Sequence, residues 1–230
     1  MNTNAIEDAK DAFTTDPLEA SMPSTTSNVE AAEPYDAVLA DPPWQGMGGE
    51  KHYPTMPLRR IVGMGDAIRA HTKPDSWLFL WTTKSLIEEA KDVMKAWGYE
   101  LGDWITWGKL NRYGFGKKHI GIRHASEILL VGTRGNVVSD YRSQPDWFVS
   151  PSGRHAEKPL EQYAIAERIA GSDARILELF ARTRRPDPRY GFWGNELETC
   201  DVNFAPWGYP VPADKTFRPK NAAGGGAGDA

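Results

Sequence analysis

The sequence predicts an α/β domain built on a parallel or mostly parallel sheet covered by helices on both faces. Two observations predict it. Short apolar runs at residues 36–40, 77–81, 104–107, 127–131 and 175–180 have the length of buried strands. Between them lie longer segments with helical spacing, and alternation of this kind gives crossover connections, hence parallel strands.

Taken in order, Asp36–Ala40 is the first strand. Leu58, Ile61, Val62, Gly65 and Ile68 then form one helical stripe, weakened by Gly63 and Gly65. After the strand Trp77–Trp81, the stripe Leu86, Ile87, Ala90, Val93, Met94 and Trp97 is cleaner and stops at Gly98. Trp104–Trp107 and Glu127–Val131 are the next strands. Pro159 starts a helix running to about Ala170, since a first-turn proline gives up no hydrogen bond, and Arg175–Phe180 closes the series. Trp77, Trp97, Trp104 and Trp107 fall on these strands and stripes and are assigned to the core.

Composition bounds the function. The 230 residues carry 27 Lys+Arg against 31 Asp+Glu, a net charge of -4. That balance argues against a nucleic-acid partner until it is resolved along the chain. Residues 1–33 hold seven acids and Lys10 alone among bases, a net of -6, and read as a disordered acidic tail. Residues 34–210 are the candidate domain, and 211–230, with their Ala/Gly-rich end, a flexible tail. Cys200 is the lone cysteine, which excludes an internal disulfide and a thiolate metal cluster and suits a reducing cytoplasm. Five scattered histidines give no metal site, and no apolar run reaches the roughly 20 residues of a membrane span. No G-x-G-x-x-G follows a strand, so a nicotinamide oxidoreductase lacks support.

In such sheets ligands bind where strands end, and Asp41-Pro42-Pro43-Trp44 directly follows the first strand. Two prolines stiffen the turn and donate nothing, so the Pro42 carbonyl can stand beside the Asp41 carboxylate as a second acceptor for one NH₂ group. Trp44 offers a flat face for a planar ring. An exocyclic amine is a poor nucleophile because its lone pair is delocalised. Two acceptors would favour a pyramidal nitrogen and stabilise the positive charge that grows on it during attack on an electrophilic carbon. Asp41 would be an acceptor first and a proton sink during or after transfer. A base inside a duplex cannot reach such a pocket, so it must be flipped out or already single-stranded.

Residues 109–158 carry nine bases against four acids, interleaved with Tyr113, Phe115, Tyr141, Trp147 and Phe148. Basic residues alternating with aromatics in loops at about 109–125 and 134–157 suit phosphate contacts and base stacking.

Asp41-Pro42-Pro43-Trp44, Tyr53-Pro54-Thr55-Met56, Leu78-Phe79-Leu80-Trp81, the segment 127–132, Lys158-Pro159, the segment 178–182 and Gly194-Asn195-Glu196 follow one another as in the MT-A70-like N6-adenine methyltransferases. The chain thus resembles that family, which includes the catalytic subunit of the eukaryotic messenger-RNA enzyme and many bacterial and phage members. The resemblance implies a Rossmann-like S-adenosylmethionine-dependent methyltransferase fold of permuted β-class order, with the catalytic motif ahead of the cofactor motif. It implies catalytic Asp41, Pro42, Pro43 and Trp44, and cofactor-binding Lys158, Glu178, Phe180, Arg182, Asn195 and Glu196. Tyr53, Arg123 and Glu127 become substrate-side residues, and no metal is required. Arg184 and Arg185 depart from the His-Asn pair of eukaryotic-type relatives, which offers those two side chains to phosphate instead. A short chain resembles the bacterial and phage members, which favours DNA over RNA. A homodimer or a methyltransferase-like partner is compatible with it, and the alternative reading is a non-catalytic nucleic-acid-binding partner subunit.

Overall fold

The computed structural model describes residues 33–46, 55–110, 124–139, 141–153 and 157–209. Tyr53, Arg123, the tails apart from Glu33 and the centre of the first basic loop lie outside these residues.

Seven strands form one sheet: β1 (Tyr35–Ala40), β2 (Thr72–Thr82), β3 (Glu100–Lys109), β4 (Ser126–Arg134), β5 (Trp147–Ser150), β6 (Ile176–Leu179) and β7 (Tyr190–Trp193). Their order is β5-β3-β4-β2-β1-β6-β7. Only β4 runs against the others: it pairs antiparallel with β2 and β3, whereas every other pairing is parallel. The mostly parallel sheet is therefore as expected. The reversal of β4 has a consequence for function, because its first residues stand beside the carboxyl ends of the six remaining strands.

Alternation along the strands divides the core in two. Val38 and Ala40 of β1, Leu78 and Leu80 of β2 and Leu177 and Leu179 of β6 face α1 (Leu58–Val62), α2 (Gly65–His71) and α3 (Ile87–Ala96). Ala37, Leu39, Phe79, Trp81 and Ile176 point the other way, onto Ile165, Ala166 and Ile169 of α4 (Glu161–Ala170). A period of two on each strand thus feeds helices on both faces.

Differences from the sequence reading have local causes. The first helical stripe is two helices, α1 ending at Val62 and α2 beginning at Gly65, where a Cβ would lie 2.6 Å from the Ala96 carbonyl oxygen. α4 begins at Glu161; Pro159 precedes it and supplies a carbonyl to the Gln162 N–H at 3.1 Å. α3 ends as expected, with Gly98 at φ +90° and its N–H on the Lys95 carbonyl. The second basic loop contains β5, so that segment is partly sheet edge rather than all loop. Trp104 is 42% exposed and Trp77 half-buried, whereas Trp97 and Trp107 are core.

Candidate active site at the carboxyl edge of the sheet

Asp41 follows β1 directly, and its side chain is 34% exposed. Its Oδ2 lies 2.6 Å from Lys158 Nζ, whose own side chain is 11% exposed. The same ammonium reaches Glu127 Oε2 at 3.3 Å, and Lys109 Nζ contacts Glu127 Oε1. Four charges of alternating sign therefore stand in line: Asp41, Lys158, Glu127, Lys109. They come from the ends of β1, β3 and β4 and from the segment before α4. Glu127 joins them because β4 enters the sheet at this edge. Lys158 lies 5.6 Å from the centre of the Trp81 ring and Lys109 4.8 Å from that of Trp107, so each ammonium also rests near an aromatic face.

This arrangement sets the ionisation of its members. Burial raises the Asp41 carboxyl above its ordinary value, opposed by the Lys158 ammonium. Burial also pulls Lys158 down, but Asp41 and Glu127 outweigh it and hold the amine protonated well above its ordinary range. For Glu127 burial acts upward and the two lysines prevail, leaving the carboxyl below its ordinary value. Lys158 is thus a fixed cation and no base.

The turn after Asp41 differs from the sequence expectation in two details. The Pro42 carbonyl accepts from the Trp44 N–H at 2.8 Å, so one of its two lone-pair directions is taken within the chain. Trp44 is only 7% exposed; its indole N–H donates to the Trp81 carbonyl at 3.1 Å, and its ring belongs to the core on the α1–α3 face. It is a wall of the fold more than an open stacking face. The turn is held further by a hydrogen bond from the Met56 N–H to the Pro43 carbonyl at 2.8 Å.

A second group lies beyond β6 and β7. Glu178, one residue before the end of β6, accepts from the Tyr163 hydroxyl at 3.3 Å through Oε1, while its buried Oε2 has no partner among the described residues. Burial pushes its carboxyl up to about 7. The Oδ1 of Asn195, just after β7, is likewise buried and unpaired. Buried acceptors are nearly always satisfied, so two orphans at adjacent strand ends mark places for donors from a ligand. They fit the hydroxyl and amino groups of S-adenosylmethionine. Phe180 holds a left-handed backbone, φ +63°, and its ring meets Trp193 edge-on at 5.5 Å. A bulky residue in that region is strained, and such strain is concentrated at functional turns.

Not every sequence-derived candidate meets a free site. Arg182 and Glu196 pair with each other at 2.8 Å, both about half exposed. Lys158, assigned to the cofactor, contacts Asp41 and Glu127. Arg184 is committed to Asp201 at 2.9 Å, and Arg185 stacks on Tyr163 at 4.0 Å, so the two arginines offered to phosphate serve the fold. Lys109, read from the sequence as one of the bases of the first loop, is instead the last residue of β3, which sets it on Glu127. No group of three or more His, Cys, Asp or Glu among the described residues could hold a metal ion.

The MT-A70 family profile matches residues 35–196, the span that contains this site. The chain is 33% identical over 169 residues to the N(6)-adenosine-methyltransferase MT-A70-like protein of Drosophila melanogaster, covering 71% of this chain and 27% of that protein. It is 32% identical over 171 residues to an N(6)-adenosine-methyltransferase MT-A70-like protein of Arabidopsis thaliana, covering 71% and 24%. With the N(6)-adenosine-methyltransferase catalytic subunit METTL3 of Homo sapiens it shares 31% over 169 residues, covering 71% and 28%. The chain spans about a quarter of the length of these relatives. From the sheet order, the strand-end constellation and this match, the chain belongs to the MT-A70 family.

Proposed function

We propose that this chain transfers the methyl group of S-adenosylmethionine to the N6 amine of adenine in a nucleic acid, in the cytoplasm. The observation that carries the reading is Asp41 at the carboxyl end of β1, accessible yet held beside Lys158, with Pro42 as neighbouring acceptor. S-adenosylmethionine supplies an electrophilic methyl carbon when bound. Glu178 and Asn195 would accept from its hydroxyl and amino groups, and Arg182 and Glu196, exposed at the same edge, would close over it.

Asp41 accepts one N–H of the target amine and the free lone pair of the Pro42 carbonyl accepts the other. Both bonds strengthen as the nitrogen becomes cationic, which lowers the barrier selectively in the transition state. The nitrogen–methyl bond forms as the sulfur–methyl bond breaks, and the surplus amine proton leaves through Asp41 to solvent. Lys158 opposes the upward push of burial on the Asp41 carboxyl and so favours the charged form that this role uses.

Asp41→Asn preserves shape and one acceptor but removes the charge. It should reduce turnover by about 10²–10³-fold while leaving cofactor binding by calorimetry near wild type. Retained turnover removes Asp41 from the mechanism. Failure of the wild-type protein to bind S-adenosylmethionine would favour the non-catalytic partner subunit.

Analogy with short bacterial and phage members favours DNA. A second reading, RNA, is favoured by the relatives, whose names specify adenosine, the ribonucleoside. Incubation with labelled cofactor and matched DNA and RNA oligonucleotides, followed by digestion to nucleosides and mass spectrometry, distinguishes them. N4-methylcytosine as product would overturn the base assignment. The human relative is named a subunit, so a partner or a second copy is proposed here too, checked by the mass of the active species in solution.

A further inference from the structure

We infer that Lys109 is a positioning residue for this reaction: through Glu127 it determines how firmly Lys158 holds Asp41. The inference rests on the proposed role of Asp41 but concerns a residue that the motif does not contain. Lys158 has one ammonium and two carboxylates within reach, Asp41 at 2.6 Å and Glu127 at 3.3 Å. The shorter bond goes to Asp41 because Glu127 already has a second cation, Lys109, on its other oxygen. The Lys109 and Glu127 side chains are 20% and 16% exposed, so water screens this contact weakly.

Without Lys109, two carboxylates would compete for one ammonium. Glu127 would draw Lys158 toward itself, and Asp41 would lose part of its counter-ion while facing an uncompensated negative neighbour. Both changes disfavour the Asp41 carboxylate. The other charged groups that bear on Asp41 are Arg182, from the loop after β6, and Glu178 on β6. Arg182 pairs with Glu196 and Glu178 accepts from Tyr163, so both are held by other partners during the exchange. Lys109 itself touches no other carboxylate among the described residues and lies over the Trp107 ring, which fixes where its ammonium sits.

The test uses the full chain with Lys109→Met, which keeps the stem, and Lys109→Arg, which keeps the charge. The Asp41 carboxyl is followed by ¹³C nuclear magnetic resonance in protein labelled at aspartate, its signal identified by its absence in Asp41→Asn. In Lys109→Met the Asp41 titration midpoint should rise by about 1 unit, the lower end of what a charge within a few ångströms produces. Lys109→Arg should return it toward wild type. The acid limb of the methyl-transfer rate should move by the same amount, with the rate recovering at alkaline pH. An Asp41 midpoint unchanged in folded Lys109→Met overturns the inference. A uniform rate loss at every pH that arginine does not rescue also overturns it, since a merely structural lysine would behave so. If the midpoint moves but no N6-methyladenine forms with the wild-type protein, the coupling of Lys109 to Asp41 stands and the activity reading fails.

Discussion

Two single residues illustrate how the site and the fold compete for the same side chains. Trp44 belongs to the core and gives its indole N–H to Trp81, so Trp44→Ala would remove a large buried ring and cost about 3–5 kcal/mol. Activity lost in that variant would report lost fold. Trp44→Phe keeps a ring face and removes the donor, and should lower stability by about 1 kcal/mol in urea melts with little effect on oligonucleotide affinity. A collapse of affinity with the fold intact would give the indole a direct role at the base. Glu178 makes the opposite compromise. Its carboxyl sits at about 7 in the folded chain against an ordinary 4.5. Below 4.5 it is protonated whether folded or unfolded, so nothing is lost there. As pH rises from 4.5 to 7 the unfolded chain releases its proton first, and stability falls by ~3 kcal/mol across that window. Glu178→Gln should therefore flatten the fall, leaving the variant more stable than wild type at pH 8, while weakening binding of S-adenosylmethionine. Equal pH profiles of stability for the two proteins would show that the buried carboxyl carries no such cost.

Among the elements, the ends of β6 and β7 are the most tightly constrained. The Ala181 N–H donates to the Trp193 carbonyl at 3.0 Å, and a Cβ on Gly194 would lie 1.9 Å from the Ala181 carbonyl oxygen. Because the obstacle is backbone, relief requires the two strand ends to separate. Gly194→Ala should cost at least 1–3 kcal/mol, roughly the range for overpacking, and should weaken cofactor binding through displacement of Asn195. Calorimetry and thermal melts check it; unchanged affinity would place Asn195 outside the cofactor site. The same elements mark the limit of what was legible in the sequence. β1, β2, β4 and β6 are buried on both faces, so each reads as a continuous apolar run. β7 has only four residues and follows an Arg/Pro-rich segment, and β5 is an edge strand of four with Trp147 62% exposed. Neither is long enough to show a period. The site divided in a similar way. Position at strand ends, together with the resemblance, identified Asp41, Glu127, Lys158, Glu178 and Asn195. That Lys158 would join Asp41 to Glu127 follows from the reversal of β4, and a reversed strand leaves no mark on a local apolar pattern.

For the whole molecule, the described bases of residues 109–158 do not form one group. Of the nine bases in residues 109–158, Lys109 and Lys158 are spent on carboxylates within the site. Arg134 stands at the opposite end of the sheet, bonded to Thr72 and to the Lys73 and Pro74 carbonyls. Arg112, Lys117, Lys118, Arg123 and Arg154 lie outside the described residues, and Arg142 is exposed. The seven acids ahead of Pro34 repel any polyanion approaching the domain. Glu33 must be kept apart from the rest, because its carbonyl accepts from the Arg175 guanidinium and helps anchor the start of β1. A truncation that spares the fold therefore removes residues 1–32, taking with it six acids and Lys10 and leaving the remainder at a net of +1. The truncated protein should bind oligonucleotides more tightly than the full chain at low ionic strength, and the two should converge as salt shortens the Debye length from ~30 Å at 0.01 M to ~3 Å at 1 M. Fluorescence anisotropy over a salt series measures both. Weaker binding of the truncated chain at low salt would make the tail part of the nucleic-acid site, and a difference that persists at 1 M would mean that residues 1–32 act by contact and not by charge.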